Sequence, residues 1–212
     1  MPDLVRRLTL SRSYQVFRSG VWDENPIFRQ ILGICSTLAV TNLLLNTLVM
    51  CAGLVFVLAA SNVTVSALRA WTPRRIRMIV QTLIIAAYVI IVKIVLDAYL
   101  PDISEQLGAY VGLIITNCII MGRAEAFAAK NPMWPSFVDG IACAIGYSLI
   151  LIVIAFAREL MGFGTLLGFQ VLGDWWTPWT IMVMPPGAFF ALALAIWAAR
   201  RLNPRPEDRE EA

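Results

Sequence analysis

The sequence predicts an all-α membrane protein: six transmembrane segments arranged as two inverted three-helix repeats, with the first and fourth segments short, broken half-helices. Three observations predict it. The apolar fraction is too large for a soluble core, basic residues gather in alternate loops, and two apolar segments are too short to cross a bilayer. At 59% hydrophobic and 15% charged, with a mean hydropathy of +0.73, the chain carries more apolar surface than one small core hides. Charge-free stretches run from Ile31 to Leu68, Ile79 to Val92, Gln106 to Gly122, Gly140 to Ala157 and Trp175 to Ala199, more than half of the 212 residues.

Residues 1–26 set Arg6, Arg7, Arg12 and Arg18 among Leu4, Val5, Leu8, Tyr14, Val16 and Phe17. This pattern lacks the uninterrupted apolar core of a cleaved signal peptide. It reads as a basic interfacial segment suited to an anionic leaflet, with a solvated, frayed terminus as the alternative. The six-segment domain is expected over 27–202, with segments at 27–43, 45–68, 76–100, 106–121, 138–160 and 179–199. As one helix, Ile31 to Leu68 would measure roughly 57 Å, about twice the hydrocarbon thickness, so it must fold back. Thr41, Asn42, Asn46 and Thr47 mark the turn, which leaves the first segment short. The fourth, bounded by Gly108 and Arg123, offers roughly 21 Å of helix and shares the defect.

Charge asymmetry sets the direction of the segments. With the N-terminus in the cytoplasm, Arg69, Arg74, Arg75 and Arg77, then Arg123 and Lys130, then Arg200, Arg201, Arg205 and Arg209 all fall inside. The outward connections hold Asp102 and Glu105 near Pro101, and Asp174 between Gly162 and Pro178. Both termini are therefore expected on the cytoplasmic side of a bacterial inner membrane, and the net charge of +3 is a topology signal rather than a nucleic-acid patch. Trp71, Trp134, Trp175, Trp176 and Trp179 stand at segment ends, where interfacial anchors belong. The polar tail 203–212, with Pro204 and Pro206, is expected to be disordered.

Three segments per half is an odd number, so the halves run in opposite directions and the short segments take matching places. Paired short segments in such repeats point to a site near the bilayer midplane, where broken helices gather around a ligand. Each short segment holds one cysteine: Cys35 in Gly33-Ile34-Cys35-Ser36, and Cys118 in Thr116-Asn117-Cys118-Ile119. Thiolates select soft metals and iron-sulfur clusters, and a cluster normally takes four ligands, so two thiols here would need two more from another subunit. Free cysteine is also a small hydrophobe that commonly packs in cores, and on the residues alone that is the more ordinary role. Cys51 and Cys143, in full-length segments, are expected to pack, and no disulfide is expected.

Among the charges, Lys93 and Asp97 stand four apart on one helix face and can pair. Arg158 and Glu159 read as snorkelling anchors at the outer end of the fifth segment. Asp139, after Pro135 and Ser136, reads as a helix-start acid. Each could instead line a cation path. The run from Gly162 to Gly168 departs from the dinucleotide fingerprint and follows no strand, and Asn62-Val63-Thr64 matches the glycosylation pattern only inside a segment. With no histidine in the chain, imidazole haem ligation, histidine zinc sites and the commonest general base are all excluded.

The stretches Leu32-Gly33-Ile34-Cys35-Ser36-Thr37 and Thr116-Asn117-Cys118-Ile119-Ile120-Met121-Gly122-Arg123-Ala124-Glu125-Ala126 are similar to one family of small membrane proteins. It comprises the D and E subunits of the sodium-translocating NADH:quinone reductase and the A and E subunits of the Rnf complex. Pro135 to Gly140 extends the likeness, which covers nearly the whole chain. The D branch is the nearer, because Ser36 stands where the Rnf counterpart has proline and the stretch from Trp175 to Phe190 suits it better.

The resemblance implies a 2Fe-2S centre held in the membrane between the D and E subunits, with Cys35 and Cys118 as this chain's ligands and two further cysteines from the homologous E subunit. It implies electron transfer across the membrane as part of redox-driven sodium export, with FAD, FMN, riboflavin and quinone in other subunits and no complete active site here. Asp139 matches the family's acid and is the candidate for ion coupling. Lys93 preceding Asp97 reverses the order in relatives, which weakens such a role on the third segment. The competing expectations are the E subunit of the Rnf ferredoxin:NAD oxidoreductase, a purely structural assembly subunit, and a secondary transporter or channel component. The last would line a solute site with Asn42, Asn46, Thr116 and Asn117.

Overall fold

The structure, a computed structural model, describes residue 27, residues 32–73, 75–99, 101, 108, 112–166, 169–170 and 179–202. The segment 1–26 expected at the interface, the tail 203–212 expected to be disordered, Trp175, Trp176 and the acids Asp102, Glu105 and Asp174 lie outside the described residues. Within them the chain is mostly helical: α1 Ile34–Val40, α2 Leu44–Leu68, α3 Arg77–Tyr99, α4 Cys118–Arg123, α5 Met133–Gly162, α6 Thr180–Val183 and α7 Pro185–Leu202. A π-turn, Ala124–Ala128, continues α4. Two-residue strands Thr165–Leu166 and Phe169–Gln170 pair antiparallel, with Thr165 opposite Gln170.

Three of these helices, α2, α3 and α5, are long and apolar enough to cross a membrane. At 25, 23 and 30 residues they measure roughly 37, 35 and 45 Å, against a hydrocarbon core of about 30 Å. Apolar side chains surround α2 on every side, the pattern of a helix that meets protein on one face and lipid or further protein on the others. Its main neighbour is α5. They meet closely at Gly140, where an added Cβ would stand 3.2 Å from Ala59 Cα and from Leu58 O, a small-residue contact of the kind membrane helices use. Leu54, Leu58, Tyr147, Leu151 and Ile154 fill the shared core, and Ile85 and Val89 of α3 and Ile119 and Ile120 of α4 join it. The rest of α3 turns Ile79, Leu83, Ile94 and Val95 outward, together with Lys93 and Asp97.

The breaks between helices have local causes. Gly33, in the left-handed conformation (φ 83°), starts α1. Thr41 to Leu43 end it, with Leu43 extended, and Thr47 Oγ1 donates across the gap to the carbonyls of Val40 (3.1 Å) and Leu43 (2.8 Å). In the fourth segment a helical turn at 112–115 stops at Thr116 and Asn117. Asn117 then caps α4, accepting the Ile119 N–H at 3.0 Å, as short polar residues do at helix starts.

Within the expected segment 179–199 the helix is interrupted between Val183 and Pro185. Met184 is extended (ψ 158°) between α6 and α7 because Pro185 disfavours a helical residue before it, and Pro185 is itself well suited to open α7. Trp71, Trp134 and Trp179 are exposed at the ends of helices.

Candidate functional site

Cys35 and Cys118 each stand in the first turn of a helix that begins at a break, α1 after Gly33 and α4 after Asn117. The structure brings the two breaks together: the Gly33 backbone N–H donates to Cys118 Sγ at 2.9 Å. The Cys118 sulfur therefore rests against backbone two residues before Cys35. Cys35 is exposed, Cys118 is half-buried, and neither is in a disulfide.

Hydrogen bonds from three segments hold this junction. Asn117 Nδ2 donates to Ser36 Oγ at 3.3 Å, which ties the two breaks side by side. Tyr147, arriving from α5, donates its hydroxyl to the Gly33 carbonyl at 3.0 Å and shares a further hydrogen bond with Ser36 Oγ. Thr37 Oγ1 donates to the same carbonyl at 2.9 Å. A side chain at Gly33 would collide with Ile119 Cδ1 and Tyr147 Cε2, each 2.7 Å from an added Cβ.

A sulfur-held iron centre fits this arrangement on its donor chemistry: two free thiols, one receiving a backbone N–H. Among the described residues no group of three or more His, Cys, Asp or Glu gathers as a metal site, so this chain alone offers half of a four-ligand set. Cys51 and Cys143 are buried elsewhere, against the Ser148 carbonyl and Asp139 Oδ1 respectively, each at 3.9 Å. The four residues of a solute-site reading are dispersed in role. Asn117 is committed to the α4 cap and Ser36, Thr116 is exposed, and Asn42 leaves its Oδ1 buried without a hydrogen bond, while Asn46 is half-buried.

Asp139 is not a helix-start acid. It is the seventh residue of α5, buried to 1% exposure, and it pairs with Arg123, 4% exposed, at the end of α4. Arg123 Nε donates to Oδ2 at 3.0 Å and Nη2 to Oδ1, while the guanidinium lies over the Phe127 ring, 5.5 Å from its centre.

The π-turn that follows is closed by Ala129 N donating to Ala124 O at 2.9 Å. It presents Glu125 to Arg77 Nη1 and Gln81 Nε2, both at 2.9 Å. These contacts hold the Glu125 carboxyl below its ordinary range: the Gln81 hydrogen bond lowers it most, burial pushes back upward, and the Arg77 hydrogen bond and then the Arg77 and Lys130 charges add to the lowering.

Arg158 and Glu159 are also corrected: at 2% and 1% exposure they do not snorkel. Glu159 Oε2 accepts the N–H of Leu44, the first residue of α2, at 2.6 Å. Arg158 donates to Thr41 Oγ1 beyond α1 and to the carbonyls of Met182 (3.0 Å), Val183 (3.0 Å) and Met184 (3.4 Å) at the α6–α7 break. Backbone groups freed where helices break need partners in lipid, and these two side chains supply them. The sequence reading missed this role, although two adjacent charges inside an apolar run were its signal. It missed Tyr147 as well, for which no spacing gives a signal.

Comparison with known proteins covers most of the chain. The family described as "Rnf-Nqr subunit, membrane protein" matches residues 13–196. The chain is 48% identical over 194 residues to the D subunit of the Na(+)-translocating NADH-quinone reductase of Photobacterium profundum, covering 89% of this chain and 92% of that relative.

Proposed function

Because this chain belongs to the Rnf-Nqr family of membrane subunits, we propose that it serves as the D subunit of a sodium-translocating NADH:quinone reductase and relays electrons through the membrane. The observation that carries the reading is the junction of the two broken segments, where Gly33 N–H meets Cys118 Sγ beside the turn that bears Cys35. In this reading Cys35 and Cys118 hold a 2Fe-2S centre together with two cysteines of a homologous E subunit. When bound, such a centre accepts and releases single electrons. The chain's own part is to place both thiols at helix starts, to direct a backbone N–H at one sulfur, and to keep the junction rigid through Ser36, Asn117 and Tyr147. The exposure of Cys35 leaves its sulfur open to a neighbouring subunit.

The same reading has six segments as two inverted repeats, with both termini cytoplasmic. Ion coupling at Asp139 would require its pair with Arg123 to open. The E subunit of an Rnf complex is the nearest alternative, and the identity to a D-type relative favours the quinone reductase. A solute carrier has less support, since Asn117 is occupied in the junction.

The test is direct. Cys35→Ala and Cys118→Ala are each expected to remove an iron signal from the purified complex and to stop electron flow. Iron and full activity in both variants would overturn the assignment.

A further inference from the structure

We infer that Tyr147 is a positioning residue for the cysteine pair: its hydroxyl fixes the Gly33 turn that delivers a backbone N–H to Cys118 Sγ. This rests on the electron-relay reading above and adds to it a group that sets the charge tolerated on the sulfur.

The geometry assigns the role in three steps. First, Thr37 N and Oγ1 hold the Gly33 carbonyl from within α1, at 3.2 and 2.9 Å, whereas Tyr147 reaches it from α5 at 3.0 Å. The phenol thus tethers the turn to a long helix, beyond what α1 supplies itself. Second, Tyr147 is fully buried, and its hydroxyl also meets Ser36 Oγ, which in turn accepts from Asn117 Nδ2. One network therefore links the residue before Cys118 to the residue after Cys35. Third, the ring occupies the space an added Cβ at Gly33 would need, 2.7 Å from Cε2. This leaves glycine as the residue that fits there and φ 83° as the conformation it holds.

A hydrogen bond to a ligand sulfur stabilises negative charge on it, and so favours the reduced form of an iron-sulfur centre. Removal of the phenol oxygen releases the tether and weakens the N–H bond to sulfur, while the ring of phenylalanine keeps the packing. The reduced centre becomes less favoured.

The experiment compares the wild-type complex with Tyr147→Phe and with Tyr88→Phe. The latter removes a hydroxyl bonded to Thr64 Oγ1 at 2.7 Å, away from the junction. Redox titration of the iron signal is expected to show a more negative midpoint potential in Tyr147→Phe and no change in Tyr88→Phe. Amide hydrogen exchange at Gly33, whose N–H is bonded to Cys118 Sγ, is expected to be faster in Tyr147→Phe and unchanged in Tyr88→Phe. An unmoved potential together with an unmoved exchange rate at Gly33 overturns the role of Tyr147. Absence of iron from the wild-type complex overturns the electron-relay reading itself. If Tyr147→Phe fails to assemble, a ring-fluorinated tyrosine placed at position 147, whose hydroxyl is a stronger donor to the Gly33 carbonyl, takes its place and is expected to move the potential the opposite way. A potential unmoved in that variant likewise overturns the inference.

Discussion

Arg123 grips Asp139 with two nitrogens, Nε at 3.0 Å from Oδ2 and Nη2 on Oδ1, where neither side chain is more than 5% exposed. The pair joins the end of α4 to α5, and so fixes the helix that starts at Cys118 against the one that carries Tyr147. Removal of one partner from a buried pair leaves a charge with no compensation, at a cost of roughly 3–5 kcal/mol. Asp139→Leu is expected to lower the thermal midpoint of the detergent-purified protein accordingly. Arg123→Met with Asp139→Leu is expected to recover most of the loss. A double variant no more stable than the single would show that the pair's charges are not what holds the junction.

Gly33→Ala places a methyl group 2.7 Å from both Ile119 and Tyr147 in a left-handed backbone. Left-handed geometry costs an L-residue about 1–2 kcal/mol, and overpacking adds about 1–3 kcal/mol. The expected result is a clear loss of thermal stability. Wild-type stability in this variant would mean that the turn at Gly33 is not as drawn.

Glu159→Leu leaves the Leu44 N–H buried without an acceptor, and an orphaned donor of this kind costs roughly 1–3 kcal/mol. Glu159→Gln keeps an acceptor oxygen and is expected to lose less. Arg158→Met strips the donor from three carbonyls around Met184 and from Thr41. Amide hydrogen exchange is expected to accelerate in α6 and at the start of α7, with α3 unaffected. Equal acceleration throughout the chain would count against a local role for Arg158.

Glu125 supplies a pH dependence. Its carboxyl is held below the ordinary value of 4.5 by Gln81 and Arg77, so the folded protein binds a proton there less readily than the unfolded chain does. The stabilisation is fully present above that ordinary value and is lost as pH falls through the lower folded value. Since the Glu125 side chain is 45% exposed, screening limits its size to under about 1 kcal/mol. The difference in melting temperature between wild type and Glu125→Gln is expected to be constant near neutral pH and to vanish in acid. A difference that grows in acid would reverse the assignment.

The helical character of the chain was legible because apolar runs of this length admit little else in lipid, and α2, α3 and α5 lie in the longest of them. The polar cluster at Thr41 and Asn42 foretold the turn that ends α1. Met184 was not foretold as a break, since the apolar residues around Pro185 and Pro186 outweighed the constraint proline places on its predecessor. Of the candidate site, the two cysteines and their glycine and asparagine neighbours could be picked out from their short segments. Tyr147 could not, because it comes from a helix whose pairing with Gly33 depends on tertiary packing across 114 positions. Arg158 and Glu159 were read by position at a segment end, and their partners, in Thr41, Leu44 and Met182, were invisible until the helices were packed.

Those last two side chains also constrain the order in which the protein can be completed. Glu159 closes on Leu44, made long before it, whereas Arg158 closes mainly on Met182 to Met184, made after it. During synthesis the carboxylate finds its anchor as soon as α5 is laid against α2, but the guanidinium must wait for the final helices to emerge. A ribosome stalled before residue 182 would therefore leave a cation in the membrane with most of its acceptors unmade.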